Sequence, residues 1–272
     1  MIRNIFALVF LFISIQLGFG QDSKNLPVKV FILAGQSNMD GCGIGEELPK
    51  KYNSPPENVL VWDNNKKLWV ELGETTFSIR RKKQFGPEMA FSHALAAAYP
   101  DHTIALVKTS GGGTKLYSQW VPDSVMYRHC FSNLENATGQ LTEAKQSYEI
   151  CGMLWMQGES DSETLEMANA YERNLKLLFA DVRRRTLKPD LPIVIGRISS
   201  SLLKKTPWVF DQAEIVQKAQ DDVAMADPFI RIINTDKFST LEDNTHFDTK
   251  AQLKLGKKMA KLMLLQLNTK NN

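Results

Sequence analysis

The stretch KVFILAGQSNMDG occupies residues 29–41 and contains an apolar run that ends abruptly in polar residues. The run at residues 30–33 has the length and β-branched content of a buried strand. Gly35 allows the backbone to turn sharply, which places Ser37 just beyond the carboxyl end of that strand. Ligands of open α/β sheets bind at this edge, and a serine on such a turn can be exposed for nucleophilic attack. Gly, Ser and Asn are also common in ordinary turns, so the stretch alone leaves both interpretations open.

Strands and helices alternate along the rest of the chain. Apolar runs predict strands at residues 103–108, 152–156, 191–198 and 229–233. Helical periodicity and start signals predict helices at residues 87–99, 160–185, 208–226 and 249–267. With the strand at 30–33, this alternation predicts an α/β fold with a parallel sheet of about five strands between layers of helices.

Two of these helices have specific start signals. Pro87 suits the first helical position, and Glu88 suits the positive end of the helix dipole. Thr249 and Gln252 have the spacing of a capping box, which predicts the start of the last helix.

A β-hairpin is predicted between the first strand and the helix at 87–99. Residues 59–62 and 68–70 have strand character, and the turn-forming residues 63–65 lie between them. Trp62 and Trp69 on this hairpin could stack on sugar rings, although core packing is the alternative for at least one of them.

Three further groups of chemically useful residues lie at the ends of predicted elements. A loop with glycines at 111–113 follows the strand at 103–108, and its backbone N–H groups could approach a ligand closely, although a flexible turn fits the same residues. Gln157 follows the strand at 152–156. Asp243 and His246 precede the last helix, three residues apart, so the carboxylate can accept a hydrogen bond from the imidazole. All of these groups are expected at the same sheet edge as Ser37.

This set has the composition that acyl transfer by a serine requires. Ser37 needs a base to take its proton, and His246 is the candidate base, with Asp243 fixing its tautomer. The oxyanion needs hydrogen-bond donors, and the Ser37 N–H, a glycine-loop N–H such as that of Gly112, and the Gln157 side-chain amide are the candidates.

The same blocks carry a family resemblance. GQSNM at 35–39, GGT at 112–114, QGESD at 157–161 and Asp243-x-x-His246 resemble, in this order, the blocks of the SGNH (GDSL-like) hydrolase superfamily. They are similar in particular to its sialate O-acetylesterase / carbohydrate esterase family 6 branch, which includes acetyl xylan esterase-like proteins, as is the FGPE sequence at 85–88. Together the blocks span nearly all of residues 28–265.

The resemblance implies a flavodoxin-like α/β/α sandwich and removal of acetyl groups from carbohydrate hydroxyls without a metal or other cofactor. It implies that Ser37 is the nucleophile, His246 the base and Asp243 its partner. It also implies an oxyanion hole of Ser37, Gly112 (or a neighbouring glycine) and Gln157, where the wider superfamily has Asn instead of Gln. Glu159 either supports the site by hydrogen bonding or serves only the following helix.

The beginning of the chain predicts export. Arg3, the apolar residues 5–15 and the small residues around 18–20 are typical of a signal peptide at 1–20, which leaves residues 21–272 as a single domain. We expect no membrane span after cleavage, and a secreted or periplasmic protein.

Charge and cysteine content limit the kinds of partner, metal site and disulfide that the chain can have. The formal net charge of +3 is spread without a long basic block, so a nucleic-acid partner is not indicated. Cys42, Cys130 and Cys151 have no metal-ligand spacing. One pair could form a disulfide in an exported protein, and Cys42 is close enough to Ser37 in sequence to be a rival nucleophile.

Three functions remain open at this stage. The first is an esterase acting on acetylated oligo- or polysaccharides. The second is a glycan-binding domain that has lost turnover, and the third is a short-chain ester hydrolase with a non-sugar substrate. Polar and Trp-containing loops around the predicted site favour the sugar ester, although a fold does not determine a substrate.

Overall fold

The computed structural model describes residues 26–73, 83–204 and 209–269. The expected signal peptide, and Trp208 at the start of one predicted helix, lie outside these residues. The strands are β1 Val28–Gly35, β2 Gly43–Ile44, β3 Val59–Asp63, β4 Leu68–Glu71, β5 Gln84–Phe85, β6 Ile104–Ser110, β7 Tyr148–Met156, β8 Ile193–Gly196 and β9 Ile230–Ile233. The α-helices are α1 Ser37–Asp40, α2 Glu88–Ala98, α3 Val125–Glu143, α4 Leu165–Thr186, α5 Ala213–Ala226 and α6 Thr249–Thr269.

Seven strands form one sheet in the order β4-β3-β6-β1-β7-β8-β9. All neighbours in this sheet are parallel except the edge pair β3 and β4. The first strand, β1, lies in the middle between β6 and β7, and all its residues except one are buried. This position explains why its sequence is a continuous apolar run, since a strand covered on both faces has no polar side.

Helices cover both faces of the sheet, which confirms the predicted α/β class. On one face α2 packs against α6, and on the other α4 packs against α5. Parallel strands require long crossovers, and helices with one apolar side are the usual way to provide them while covering the sheet.

The predicted hairpin is part of the main sheet. Its first strand, β3, pairs with β6, so the sheet has seven strands where about five were predicted. Trp62 and Trp69 are both buried and contact each other edge to face with ring centroids 5.5 Å apart. Both therefore pack in the core, and neither is available to stack on a sugar.

Helix α3 was missed by the sequence interpretation, which assigned no element to residues 125–143. Its buried residues recur every three or four positions, so the signal was present, although polar residues and Gly139 interrupt it. The helix predicted from residue 160 begins at Leu165, with Thr164 as its N-cap, because residues 160–163 form a separate 3₁₀ turn.

The structure corrects one helix-start prediction and adds detail to a second. The Thr249 hydroxyl accepts a hydrogen bond from the Ile44 N–H, and Asp248 accepts one from the Ala251 N–H, so Asp248 performs the capping expected of Thr249 and Gln252. Glu88 lies in the first turn of α2, as predicted for an acidic residue at the positive end of the helix dipole, and its buried carboxylate also accepts the Gly86 N–H and forms an ion pair of 2.7 Å with Lys108.

In the ranges given above, no helix is long and apolar enough to cross a membrane.

Candidate active site

Ser37 lies where the sequence predicts it, directly after the central strand. Gly35 has φ of +150°, and a β-carbon at this position would lie 2.0 Å from the Met156 carbonyl oxygen. Only glycine can therefore make this turn. Ser37 opens the short helix α1 and its side chain is 7% exposed. The first N–H groups of a helix have no partner within it, so the Ser37 N–H is available at the same edge as its hydroxyl.

The loop before α6 brings Asp243 and His246 into contact. We call residues 241–248 the histidine loop. The His246 Nδ1 atom lies 2.5 Å from one carboxylate oxygen of Asp243, and the other oxygen accepts the backbone N–H groups of Thr245 and His246, each at 2.9 Å. This arrangement commits Nδ1 to Asp243, which leaves Nε2 as the nitrogen that can act as a base.

The surroundings of Asp243 keep it ionised. Partial burial alone would raise its pKa, but hydrogen bonds from the backbone and ring of His246 and from the Thr245 backbone outweigh this effect and lower the pKa below its ordinary value. A carboxylate that stays charged next to an imidazole stabilises the imidazolium form during proton transfer.

Asn38 joins the serine turn to the histidine loop. Its Nδ2 donates to the Thr245 carbonyl at 3.0 Å, and its Oδ1 accepts from the Phe247 N–H at 2.9 Å. These are the two residues on either side of His246. The buried amide next to Ser37 therefore fixes the backbone that carries the candidate base.

Glu159 holds the side chain of Asn38 in position. Its Oε1 accepts the other Nδ2 hydrogen of Asn38 at 2.7 Å, and the residue is only 1% exposed. The second oxygen, Oε2, is buried and has no hydrogen-bond partner among the described residues. Burial raises the pKa of Glu159 to about 7, although the hydrogen bond from Asn38 opposes the shift. Of the two roles that the sequence left open, the contacts match the first, support of the site by hydrogen bonding.

A second loop also lies next to Ser37. We call residues 111–117 the glycine loop. A β-carbon placed on Gly112 would lie 3.9 Å from the β-carbon of Ser37, so the Gly112 backbone is adjacent to the serine. The loop is tied to the serine turn by the Gly111 N–H, which donates to the Gly35 carbonyl at 3.1 Å. Of the predicted loop glycines, Gly112 is thus close enough to offer its N–H beside Ser37.

Gln157 does not occupy the position that the sequence interpretation gave it. The residue is completely buried, and its Nε2 donates to the Thr114 carbonyl at 3.0 Å and to Asp161 at 2.6 Å. Its carbonyl oxygen accepts from the Tyr171 hydroxyl. Both amide hydrogens are therefore committed inside the protein, and none is left for an oxyanion.

Gln157 and Asp161 instead hold the glycine loop. The Asp161 carboxylate accepts the N–H groups of Leu116 at 2.7 Å and Tyr117 at 2.8 Å. Burial raises the pKa of Asp161, while hydrogen bonds from Gln157 and these two N–H groups oppose that shift. Sequence reasoning missed the roles of Asn38 and Asp161, although both lie within the blocks GQSNM and QGESD that suggested the family.

The cysteines form no disulfide. All three are buried thiols, and Cys42 is 1% exposed with its sulfur 3.9 Å from the Ser37 carbonyl oxygen. A buried thiol cannot reach a substrate without rearrangement, which weakens the case for Cys42 as a rival nucleophile. No cluster of three or more His, Cys, Asp or Glu side chains suited to a metal ion occurs in the described part of the chain.

Comparisons with known proteins show which family the chain resembles. A family model described as carbohydrate esterase, sialic acid-specific acetylesterase, matches residues 27–265. A probable carbohydrate esterase of Arabidopsis thaliana is 27% identical over 259 residues, which are 88% of this chain and 91% of that protein.

Solved structures show the same fold. An X-ray structure of a protein from Arabidopsis thaliana matches with a TM-score of 0.75 at 25% identity, over 88% of this chain and 99% of that chain. A carbohydrate acetylesterase from Xanthomonas citri matches with a TM-score of 0.63 at 15% identity, over 89% of this chain and 57% of that chain. At 15% identity, the match to the Xanthomonas citri structure shows a shared fold and nothing more. These matches confirm the resemblance inferred from the sequence blocks.

Proposed function

Because the chain belongs to the carbohydrate esterase, sialic acid-specific acetylesterase family, we propose that it is an exported serine esterase that removes O-acetyl groups from carbohydrates. In this proposal Ser37 is the nucleophile, His246 the general base and Asp243 its partner. The observation that carries it is the pair of hydrogen bonds through which Asn38, the neighbour of Ser37, holds both residues that flank His246.

Acylation follows from this geometry. The Nε2 atom of His246 takes the proton of the Ser37 hydroxyl as its oxygen attacks the acetyl carbonyl. Asp243 stabilises the imidazolium that forms. The backbone N–H groups of Ser37 and Gly112 are the proposed donors to the oxyanion, whereas Gln157 acts indirectly by holding the glycine loop.

Collapse of the tetrahedral intermediate breaks the bond to the sugar oxygen, which leaves as a hydroxyl after receiving the proton from His246. Water then attacks the acetyl-Ser37 ester with His246 again acting as base, which releases acetate and restores the serine.

Two alternatives remain as outcomes of the test. A glycan-binding domain without turnover has no need for the ionised Asp243 in contact with His246. A hydrolase of non-sugar esters would share the entire mechanism, and the substrate alone separates it from the leading proposal.

The export part of the proposal rests on residues 1–20, whose composition is typical of a signal peptide. Expression of the full chain in a secreting host, followed by amino-terminal sequencing of the product, tests it. Cleavage before Gln21 supports export, and retention of residues 1–20 on an active cytoplasmic protein contradicts it.

The mechanism is tested with purified residues 21–272. Acetate release from 4-nitrophenyl acetate and from acetylated xylan is compared among the wild type, Ser37→Ala and His246→Ala. Ser132→Ala, an exposed serine on α3, is the matched control. We expect both site variants to lose activity without losing their fold, while the control keeps it. Full activity in Ser37→Ala would exclude the proposed nucleophile, and a wild type that cuts neither ester would favour the binding domain.

A further inference from the structure

A polar cleft of about 590 Å³ lies beside the glycine loop, and residues 111–114 of that loop line it. One wall is the glycine loop with the beginning of α3, and the other is the turn between β3 and β4. Its polar side chains include Asp40, Asn64, Asn65, Lys67, His129 and Asn133. The cleft is therefore at the carboxyl edge of the sheet, above β6 and β3, next to the strand that leads to Ser37.

The structure holds the walls of this cleft in place. Asn64 Nδ2 donates to the Lys108 carbonyl at 2.8 Å, which fixes the hairpin turn to β6. Asn133 is buried, and its Nδ2 donates to the Thr109 hydroxyl at 3.0 Å while its Oδ1 accepts from Lys67 Nζ at 3.3 Å. The polar groups that face the cleft are thus preorganised by the fold, which reduces the entropy lost when a ligand binds.

The cleft is continuous with the candidate catalytic site. Gly112 lines it and is also the glycine next to Ser37. Asp40, the last residue of α1, lines it as well, and its carboxylate accepts a hydrogen bond from Ser110 at 2.9 Å. An ester whose carbonyl is held at Ser37 and Gly112 can therefore place its alcohol portion in this cleft.

The charges of the lining residues indicate which alcohol fits. Lys67 is the one lysine or arginine among those residues and Asp40 the one aspartate or glutamate, so with His129 neutral the formal charges of the lining sum to zero. Such a lining has no surplus cation for a carboxylate. The side-chain amide of Asn65, in contrast, makes no hydrogen bond with the described residues, so it offers a donor and an acceptor side by side, which matches the hydroxyl groups of a sugar.

We propose that this cleft binds the neutral, hydroxyl-rich glycosyl residue that carries the acetyl ester, in preference to a sugar acid such as a sialic acid. The inference rests on the proposed esterase function and assigns the part of the substrate that leaves as the alcohol.

The test compares two esters of different size. The cleft is filled by Val125→Trp, since Val125 lines it and is 43% exposed. Leu177→Trp is the matched control, because Leu177 is exposed on α4 and is not among the residues that line the cleft. We expect Val125→Trp to lower kcat/KM on acetylated xylotriose by at least about tenfold and to change kcat/KM on 4-nitrophenyl acetate by less than about twofold. The reason is that only acetylated xylotriose has a glycosyl group whose contacts with the cleft the tryptophan would block.

A second variant tests whether a polar side chain of the cleft binds the sugar. Asn65→Ala removes one lining amide, and Lys66→Ala changes the neighbouring exposed residue, which is not part of the lining. We expect about a three- to tenfold loss on acetylated xylotriose for Asn65→Ala alone, as expected for one or two hydrogen bonds to substrate. Equal kcat/KM values in the wild type and both cleft variants would overturn the proposal while leaving the esterase intact.

Two further measurements make failure of the cleft distinguishable from failure of the enzyme. Wild-type kcat/KM is compared on acetylated xylotriose and on O-acetylated N-acetylneuraminic acid, and a higher value on the latter would overturn the preference for a neutral sugar. Binding of unacetylated xylotriose to Ser37→Ala is followed by saturation-transfer NMR, which needs no turnover. We expect a saturation-transfer signal from xylotriose with Ser37→Ala and no such signal when Val125→Trp is added to that variant. A signal that persists in the double variant would show that the sugar binds outside the cleft.

Discussion

The two loops that flank Ser37 are held by different kinds of contact. The glycine loop is fixed by Asp161, a buried carboxylate that accepts two of its backbone N–H groups. The histidine loop is fixed by Asn38, a neutral amide that belongs to the same turn as Ser37. The glycine loop is therefore anchored chiefly to the turn that follows β7, with one further hydrogen bond to Gly35, whereas the histidine loop is anchored to the residue next to Ser37. A single side-chain change at Asn38 is therefore expected to displace the base from the serine while the contacts that hold the glycine loop stay in place.

The largest effect is expected within the histidine loop. Asp243→Asn keeps the size of the side chain but removes the charge that fixes the tautomer of His246 and stabilises its imidazolium form. We expect kcat/KM on 4-nitrophenyl acetate to fall about 10³–10⁴-fold. The exposed neighbour Glu242→Gln is the control and should change little. A loss below about tenfold in Asp243→Asn would remove Asp243 from the proposed triad.

Glu159, which accepts a hydrogen bond from Asn38, is expected to make the stability of the protein depend on pH. Because burial raises the pKa of Glu159 from 4.5 to about 7, the folded state holds this proton more tightly than the unfolded state. The stability linked to this proton is fully present below pH 4.5 and is lost as the pH rises to about 7. The loss is up to about 3 kcal/mol in the free energy of unfolding.

Glu159→Gln should remove that dependence, because the amide keeps an acceptor for Asn38 and does not titrate in this range. Urea unfolding of wild type and variant at several pH values between 4.5 and 8 measures the difference. Glu163→Gln, in the same turn but partly exposed, is the control. A constant difference between wild type and Glu159→Gln across this range would show that Glu159 does not take up the proton.

Removing the connection to the histidine loop should affect catalysis more than binding. Asn38→Ala deletes both hydrogen bonds to the residues that flank His246. We expect kcat on 4-nitrophenyl acetate to fall about 10²-fold, as for an approximately 1 Å misplacement of a catalytic group, while KM stays within about threefold. The exposed Asn53→Ala should match the wild type. A rise in KM with unchanged kcat would indicate a role in substrate binding instead.

The smallest effect is expected at the anchor of the glycine loop. Asp161→Asn replaces one accepting oxygen by a donor that faces the Tyr117 or Leu116 N–H group, so we expect the free energy of unfolding to fall by about 1–2 kcal/mol. The loss in kcat should be smaller than for Asn38→Ala, because Gly111 still binds Gly35 and Gln157 still binds Thr114. Asp101→Asn, at an exposed position, should stay within about 0.5 kcal/mol. If Asp161→Asn lowers kcat more than Asn38→Ala does, the contrast between the two loops is wrong.

The sequence alone predicted most of the sheet because its parallel strands are fully buried. Residues 30–33, 103–108 and 152–156 are apolar runs too short for helices, and each lies within an observed strand or overlaps one closely. Helix α3 was missed because its apolar positions are diluted by polar residues, and the capping box of Thr249 failed because Ile44, distant in sequence, takes the threonine hydroxyl.

Local pattern also placed Ser37, Gly112, Asp243 and His246 on the proposed site edge, since the carboxyl ends of parallel strands share one side of a sheet. The role of Gln157 could not be predicted from local sequence pattern. Its position after β7 is local, but the direction of its amide is decided by Thr114, Asp161 and Tyr171, which only the folded chain brings together. A long side chain at a strand end can point to the substrate or into the core, and sequence spacing does not distinguish these directions.

The sequence by itself thus determined the class of fold and the family, and it supplied the candidate residues for the proposed chemistry, because these depend on periodicity and on short blocks of adjacent residues. Tertiary structure alone decided which buried polar groups satisfy one another: Asn38 with the histidine loop, Asp161 with the glycine loop, and Glu159 with Asn38. The physical reason is that a buried polar group must find a partner within hydrogen-bond distance, and its partner here comes from a segment that is far away in the chain.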